Sequence, residues 1–302
     1  MSFHHITVLL DEPIRYITEP FTEDRDYYVL DGTFGGGGHS LTFIDRHPKV
    51  KMISFDQDPT AIENGRKLIA EKNYEERVNL IQDNFVNLTT HLDQLGQEKI
   101  DGAIFDLGVS SHQFDEKSRG FSFQEEAFLN MRMDQDESKL TAHKIVNEYN
   151  EEDLAYIFSN YGEEKFSNRI SARIVEQRSR KEIRTTKELE DIIFHAYPKK
   201  MRFGRTHPAT RCFQALRIEA NGELDVLKKV IPEIAERLSS GSRLAIISFH
   251  SLEDRIVKLA FKELKSQGGF NILTKKPLVP LETEISNNKR SRSAKMRVLE
   301  KI

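Results

Sequence analysis

The residues best suited to chemistry form one loop, Asp31-Gly32-Thr33-Phe34-Gly35-Gly36-Gly37-Gly38-His39, between a β-rich run (Tyr27-Tyr28-Val29-Leu30) and a helical pattern. Glycines there let the backbone turn tightly and approach a ligand with no Cβ in the way. A P-loop would need Lys where Gly38 stands after Gly32-x4-Gly37. The dinucleotide fingerprint fits in part: Gly35 and Gly37 are spaced as it requires, but Ser40 takes the place of the third glycine. Asp56, 21 residues beyond Gly35 and ending a second β-run, is placed to bind ribose hydroxyls. S-adenosylmethionine offers a ribose and an adenine but no phosphate, so the loop favours that methyl donor over NAD.

Other strand ends add to this. Gln82-Asp83-Asn84-Phe85 could bracket an adenine, and Asp106-Leu107-Gly108-Val109-Ser110-Ser111 follows a fourth β-run. In open α/β sheets ligands sit at the carboxyl ends of strands, where these segments converge. Alone, Asp83 reads as a turn residue and Phe85 as a core aromatic. His250, Glu253 and Asp254 follow a fifth β-run, and His250 and Asp254 are candidate catalytic groups on the substrate side. Glu253 and Asp254 equally suit ordinary acids of a first helical turn, and His250 a hydrogen-bonded structural histidine. Cys212 is the one cysteine. A covalent mechanism would need a thiolate, but nothing around Cys212 activates it, and a small buried core residue is expected.

The elements that must position these residues alternate at first. Val50–Phe55, Val78–Ile81 and Ile100–Phe105 read as strands, Asp58-Pro59 opens a helix reaching about Lys72, and Phe85–Leu95 reads as helical. Such alternation implies a parallel sheet with helices on both faces. From about Phe114 to Arg217 only helical and turn patterns appear, with Phe166, Ile170 and Ile174 as an apolar stripe beside Arg169, Arg173 and Arg180. Gly241–Phe249 restores the β pattern, Leu252–Leu264 is an amphipathic helix, and Met296–Leu299 a last strand. The fold class expected is α/β, with a discontinuous sheet domain (1–113 and 213–302) and an inserted all-helical domain (114–212).

The chain has 302 residues, about two domains' worth. Its hydrophobic share of 38% and charged share of 31% fit a soluble globular protein. No apolar run approaches the ~20 residues of a membrane span, the N-terminus lacks a signal-peptide pattern, and one cysteine excludes an internal disulfide or multi-cysteine zinc site. A cytoplasmic protein is expected, with no membrane partner and no metal. The formal charge of −3 conceals an asymmetry. Residues 115–164 hold 13 acids and 5 bases, whereas residues 165–217 hold 14 bases and 5 acids. The tail from Asn288 adds six bases and one acid. One charged helix face is commonly just solvated; two basic regions in an acidic protein point to a polyanion. Lys199, Lys200, Arg202 and Arg205, in what reads as a loop, and Arg290, Arg292, Lys295 and Arg297, in the tail, are the candidate RNA-phosphate contacts.

Several motifs together resemble the MraW/RsmH family of bacterial methyltransferases. They are His5-Ile6-Thr7-Val8-Leu9-Leu10-Asp11-Glu12, the glycine loop, Phe55-Asp56-Gln57-Asp58-Pro59, Asp106-Leu107-Gly108-Val109-Ser110-Ser111, Arg119-Gly120-Phe121-Ser122-Phe123 and Met131-Arg132-Met133-Asp134. Tyr161-Gly162-Glu163-Glu164, His207-Pro208-Ala209-Thr210-Arg211, Phe213-Gln214-Ala215-Leu216-Arg217-Ile218, Ser248-Phe249-His250-Ser251-Leu252-Glu253-Asp254-Arg255 and Arg290-Ser291-Arg292-Ser293-Ala294-Lys295-Met296-Arg297 continue it, so the resemblance spans essentially the whole chain. It implies a Rossmann-like class I methyltransferase sheet with an inserted helical domain for substrate recognition. It also implies methyl transfer from S-adenosyl-L-methionine, leaving S-adenosylhomocysteine, to the exocyclic N4 amine of one cytidine in the decoding region of 16S rRNA within the small ribosomal subunit. Carried onto this chain, donor contacts fall on Gly37, Gly38, His39, Asp56, Phe85, Asp106 and Gln113. His112 departs from the family's usual Pro, which weakens the Gln113 assignment, and the connection from Gly268 to Asn287 is shorter than in many members. Alternatives are a methyltransferase of protein amines, an NAD-dependent oxidoreductase, which Ser40 disfavours, and an assembly factor that binds donor and checks RNA.

Overall fold

The computed structural model describes residues 6–109, 113–114, 116–135, 140–204 and 206–302. Two compact units divide it: 1–108 with 224–302, and 109–223.

The first unit is built on seven strands: β1 (Tyr27–Asp31), β2 (Val50–Asp56), β3 (Val78–Gln82), β4 (Ile100–Asp106), β5 (Leu238–Ser248), β6 (Phe270–Ile272) and β7 (Lys295–Lys301). Their order in the sheet is β3-β2-β1-β4-β5-β7-β6. β1 to β5 pair in parallel, and β7 runs antiparallel to both β5 and β6. Side chains alternate across the sheet with a period of two, and the core follows. Leu30, Ile53 and Phe105 enter one apolar cluster, while their neighbours Val29, Met52 and Ile104 enter the cluster on the opposite face. The first face is covered by α4 (Leu88–Gln94) together with two later helices, Glu223–Arg237 and Ser251–Gln267, through Leu92, Ile234 and Phe261. The second is covered by α1 (Asp11–Thr18), α2 (Gly38–Arg46) and α3 (Pro59–Glu71), through Ile17, Phe43 and Ile69.

Helix starts follow local chemistry. Asp58 caps α3 by accepting the Thr60 N–H at 3.0 Å, with Pro59 at the first helical position. The helix expected from Phe85 begins as a 3-10 turn over Phe85–Asn87 before α4. The connection from Gly268 to Asn287 carries β6 and a short helix, Glu282–Asn287.

The second unit contains α5 (Ala142–Glu148), α6 (Glu151–Asn160), α7 (Ser167–Arg178), α8 (Thr186–Ala196) and α9 (Ala209–Asn221); α10 (Glu223–Arg237), α11 (Ser251–Gln267) and α12 (Glu282–Asn287) complete the numbering. Leu154, Ile157, Phe158, Ile170, Ile174, Leu189 and Ile193 form its core with Cys212, Phe213 and Leu216 of α9. Arg178 donates to the carbonyls of Val146 (2.7 Å) and Tyr149 (2.5 Å), satisfying acceptors at the end of α5. Arg169, Arg173 and Arg180 are exposed, as the stripe predicts, and Arg173 and Arg180 share Glu176. No helix among the described residues is long and apolar enough to cross a membrane.

Candidate functional site

Because β1 pairs with β2 on one side and β4 on the other, the chain reverses direction of winding beside β1, and a crevice at the strands' carboxyl ends is the expected ligand site. Three of the strands around it end in Asp: Asp31, Asp56 and Asp106. Asp31 is 1% exposed and organises the glycine loop: Oδ1 accepts the Thr33 N–H (3.0 Å) and Oδ2 the Ser40 hydroxyl (2.6 Å). Ser40 Oγ lies 2.9 Å from Ser54 Oγ, which donates to it, since the Ser40 proton serves Asp31. Ser40, which departs from the dinucleotide pattern, therefore ties α2 to β1. Asp56 ties the loop to the next strand end, its Oδ2 accepting Gly35 N–H (2.7 Å) and Oδ1 Asp58 N–H (2.8 Å). Each oxygen retains a second lone pair for a ribose hydroxyl.

The loop's turn demands glycine at Gly37, which caps α2 at φ +77°, where a Cβ would lie 2.7 Å from the Phe34 ring. Gly38 is glycine for another reason: its missing Cβ would sit 1.8 Å from Thr7 Oγ1. An N-terminal strap, residues 6–9, thus lies on the loop. Leu9 holds a left-handed φ of +48°, uncommon for a leucine. Its side chain is wholly buried and its N–H donates to Glu284 Oε1 at 2.9 Å, while Asn288 Nδ2 donates to Ile6 O at 2.9 Å. Glu284 and Asn288 belong to the α12 region, far away in sequence, and no periodicity marks them; only the fold brings them to the strap.

Asp106 faces the same acidic surroundings. Its backbone N–H donates to Thr33 Oγ1 (2.6 Å), its Oδ2 lies 3.9 Å from Nδ1 of the buried His39, and its Oδ1 has no hydrogen-bond partner. Burial pushes the Asp31 and Asp56 carboxyls up to about 6. The Asp106 carboxyl is raised well above its ordinary value by burial and then by the charges of Asp31, Glu253 and Glu284. Among the described residues no Lys or Arg pairs with any of the three. Clustered carboxylates without a counter-charge repel a pyrophosphate and attract a cation or hydroxyl donors. A sulfonium bearing an ammonium and a ribose fits that donor and acceptor set; NAD does not. Phe85 is half-buried and meets Phe105 edge-on at 5.3 Å. The Phe105 ring occupies the space where a Cβ at Gly32 would be, 2.1 Å away.

The substrate-side candidates are committed to structure. His250 caps α11: its Nδ1 accepts Glu253 N–H (3.3 Å), so Nε2 carries the proton, 3.1 Å from Glu253 Oε1. The Glu253 carboxylate returns to the N–H groups of Phe249 (2.7 Å) and His250 (3.2 Å), completing a capping box. Asp254 is gripped by Arg297, with Nε to Oδ1 at 2.7 Å and Nη2 to Oδ2 at 3.2 Å. Burial alone would raise the Asp254 carboxyl; the Arg297 bond and charge outweigh it and hold the group below its ordinary value.

The basic residues divide likewise. Lys199, Lys200, Arg290 and Arg292 are exposed and Lys295 is half-exposed. Arg297, a tail phosphate candidate in the sequence, is instead 7% exposed and spent on Asp254, because β7 is covered on both faces and Arg297 lies on the face that α11 covers. Arg202 donates to the carbonyls of Tyr197 (3.1 Å) and His195 (3.0 Å). Lys199–Met201 forms one 3-10 turn rather than open loop. Arg205 lies outside the described residues, as do Ser110, Ser111 and His112; Gln113 is buried in the helical unit.

A Rossmann-like sheet whose antiparallel seventh strand lies between the fifth and sixth, with a glycine loop and acids at its strand ends, defines a class I methylase; such enzymes draw the methyl group from S-adenosylmethionine. The chain belongs to the MraW methylase family, whose model matches residues 2–302. It is 45% identical to a protein of Clostridioides difficile named Ribosomal RNA small subunit methyltransferase H, over all of both chains. It is 46% identical to the protein of that name from Synechococcus elongatus, over 100% of this chain and 96% of the other. Among solved structures, an rRNA methylase from Streptococcus thermophilus is similar at a TM-score of 0.48 and 15% identity, over 98% of each chain.

Proposed function

We propose that this protein transfers a methyl group from S-adenosylmethionine to the exocyclic N4 amine of one cytidine in the decoding region of small-subunit 16S rRNA. The observation that carries the reading is membership of the MraW methylase family over residues 2–302, in a chain whose glycine loop is rimmed by carboxyls with no Lys or Arg partner among the described residues. The names of its relatives support the rRNA substrate, and the motif resemblance supports the N4 position.

The transfer is an in-line displacement on a carbon already activated by its sulfonium, so it needs no nucleophilic residue. Holding the amine and the methyl carbon in attack geometry can supply on the order of 7–11 kcal/mol. Gly35–Gly38 admit the donor's backbone-facing edge, Asp56 receives ribose hydroxyls, Phe85 borders the adenine, and His39 supports Asp106. The cytosine amine is a poor nucleophile because its lone pair is delocalised; a hydrogen-bond acceptor on its N–H favours the reactive form. Of the three aspartates at the strand ends, Asp106 has an oxygen, Oδ1, without a hydrogen-bond partner, whereas His250 Nδ1 and both Asp254 oxygens are engaged. We therefore assign the acceptor role to Asp106, with His250 and Asp254 holding the β5–α11 corner. The inserted unit is the substrate-recognition domain, and Lys199, Lys200, Arg290, Arg292 and Lys295 meet phosphates while the base leaves its stack.

Purified protein, labelled S-adenosylmethionine and small subunits from a strain lacking this activity should yield one N4-methylated cytidine, read by mass spectrometry of the rRNA. Binding to the subunit should fall steeply with salt. Donor binding without rRNA labelling would leave the methylase and remove the substrate.

A further inference from the structure

The most exposed large apolar side chain of the described residues is Phe203, at 87% exposure, in Lys199-Lys200-Met201-Arg202-Phe203-Gly204 of the helical unit. Met201 beside it is 51% exposed. The backbone around Phe203 is anchored from within. The Met201 N–H donates to Pro198 O at 2.8 Å, and Arg202 is pinned to the Tyr197 and His195 carbonyls with its guanidinium 5.3 Å from the Phe194 ring centre.

Phe203 is also the outer member of a run of rings. It meets Phe194 edge-on at 5.7 Å; Phe194 stacks near His207 at 5.8 Å; His207 stacks on Phe123 at 4.8 Å; and Phe123 meets the buried Phe213 at 5.1 Å. Phe203 meets this base through Phe194, and at 87% exposure most of its surface is left to water. A largely exposed aromatic on an anchored segment, with ammonium groups of Lys199 and Lys200 exposed alongside, has the composition of a single-strand nucleic-acid platform: rings stack bases and lysines meet phosphates. Charge sets the partner. Residues 165–217, which contain this segment, carry 14 bases against 5 acids, which favours a polyanion over an apolar protein surface.

We propose that Phe203 is a stacking site for an unpaired base of single-stranded RNA, with Lys199 and Lys200 on the adjoining phosphates. The proposal rests on the reading of this chain as an rRNA methylase and extends it by naming a base-binding residue outside the methyl-transfer site. The protein contains no tryptophan, so Phe203→Trp installs a single emitter at the site.

The experiment titrates the full-length Phe203→Trp protein with a fluorescently labelled, unstructured RNA of roughly a dozen nucleotides, reading tryptophan emission and RNA anisotropy together. Stacking should quench the emission along the same isotherm as the anisotropy. Phe203→Leu, which keeps apolar volume but has no π face, should weaken RNA binding about 5- to 150-fold, with donor affinity unchanged; Phe203→Tyr should bind nearly as the parent does. RNA binding without quenching, together with parental affinity in Phe203→Leu, would overturn the stacking site and leave the rRNA reading intact. Absence of any binding of this RNA by the parent would overturn the proposal, while labelling of rRNA in small subunits by the same protein would keep the methylase reading. Emission that responds to isolated small-subunit proteins but not to RNA would also overturn it, and assign the ring to a protein contact.

Discussion

Removing the Asp254 carboxylate tests whether that group holds the fold or acts on the substrate. Asp254 and Arg297 join α11 to β7 through two hydrogen bonds, with side chains 14% and 8% exposed, and Lys295 Nζ stands 3.7 Å away. In Asp254→Ala the guanidinium stays inside without its counter-charge, which costs about 3–5 kcal/mol. The half-exposed Lys295 places the expected loss near the lower end. In a domain of this size each kcal/mol shifts Tm by roughly 2–4 °C, so a fall of roughly 6–12 °C is expected by calorimetry. Asp254→Asn, which keeps one acceptor, should lie between. The double variant Asp254→Leu/Arg297→Met should recover most of the loss, because neither charge remains buried. The pH dependence has a definite sign. The Arg297 bond holds the Asp254 carboxyl below its ordinary value. Its stabilisation is therefore present above about pH 4 and is lost as pH falls through the depressed value, so Asp254→Asn should show a flatter acid limb. A Tm within ~1 °C of the parent, combined with methyl transfer down more than about tenfold, would refute this reasoning and return Asp254 to the substrate.

Three further outcomes are expected. Gly38→Ala places a methyl carbon 1.8 Å from Thr7 Oγ1 and 3.0 Å from Thr7 Cβ; displacing the strap should weaken donor binding roughly tenfold, and Thr7→Gly in the same chain should restore it, both by titration calorimetry. Asp31 and Asp56 titrate near 6, above the roughly 3.9 of an unfolded Asp. The stability they hold below about pH 4 is therefore lost as pH rises through about 6. A cationic donor prefers their ionised form, so its affinity should rise from about pH 5 to about pH 7.5 with proton release; a flat profile would count against acidic recognition. Cys212 is fully buried and burial pushes its thiol up, so Cys212→Ala should keep methyl transfer at a cost of about 1 kcal/mol; lost turnover in a folded variant would revive a covalent ring-carbon route.

Six of the seven strands were legible to within a few residues, because β-branched and aromatic runs ending in turn chemistry are a local property; the three-residue β6 (Phe270–Ile272) was not. Val50–Phe55 became Val50–Asp56 and Met296–Leu299 became Lys295–Lys301; the ends extend because a strand continues as long as a neighbour offers backbone partners, which no single run reveals. The helical character of the middle of the chain was legible for the same reason. The sequence places its end at 212, whereas the second compact unit runs to Glu223, since Cys212, Phe213 and Leu216 pack among Leu154, Ile170 and Leu189. Helical periodicity states that α9 has an apolar face and is silent on which core receives it.

In the site, the sequence offers the residue types and the fold assigns their neighbours. Asp31, Asp56 and Asp106 announced themselves by ending β-runs, a pattern that depends only on neighbours in the chain. That Arg297 points at Asp254 and away from solvent depends on the facing and register of β7 against β5, which is set by pairing across the chain. That Gly38 yields space to Thr7, and that Glu284 and Asn288 hold the strap, depends on contacts between residues up to 282 positions apart. Local propensity thus determined the elements and the stock of chemical groups by itself. Burial, charge pairing and the acceptor left without a partner were decided only when the folded chain assigned each group its neighbours, because desolvation and Coulomb energy act through space and carry no signature along the sequence.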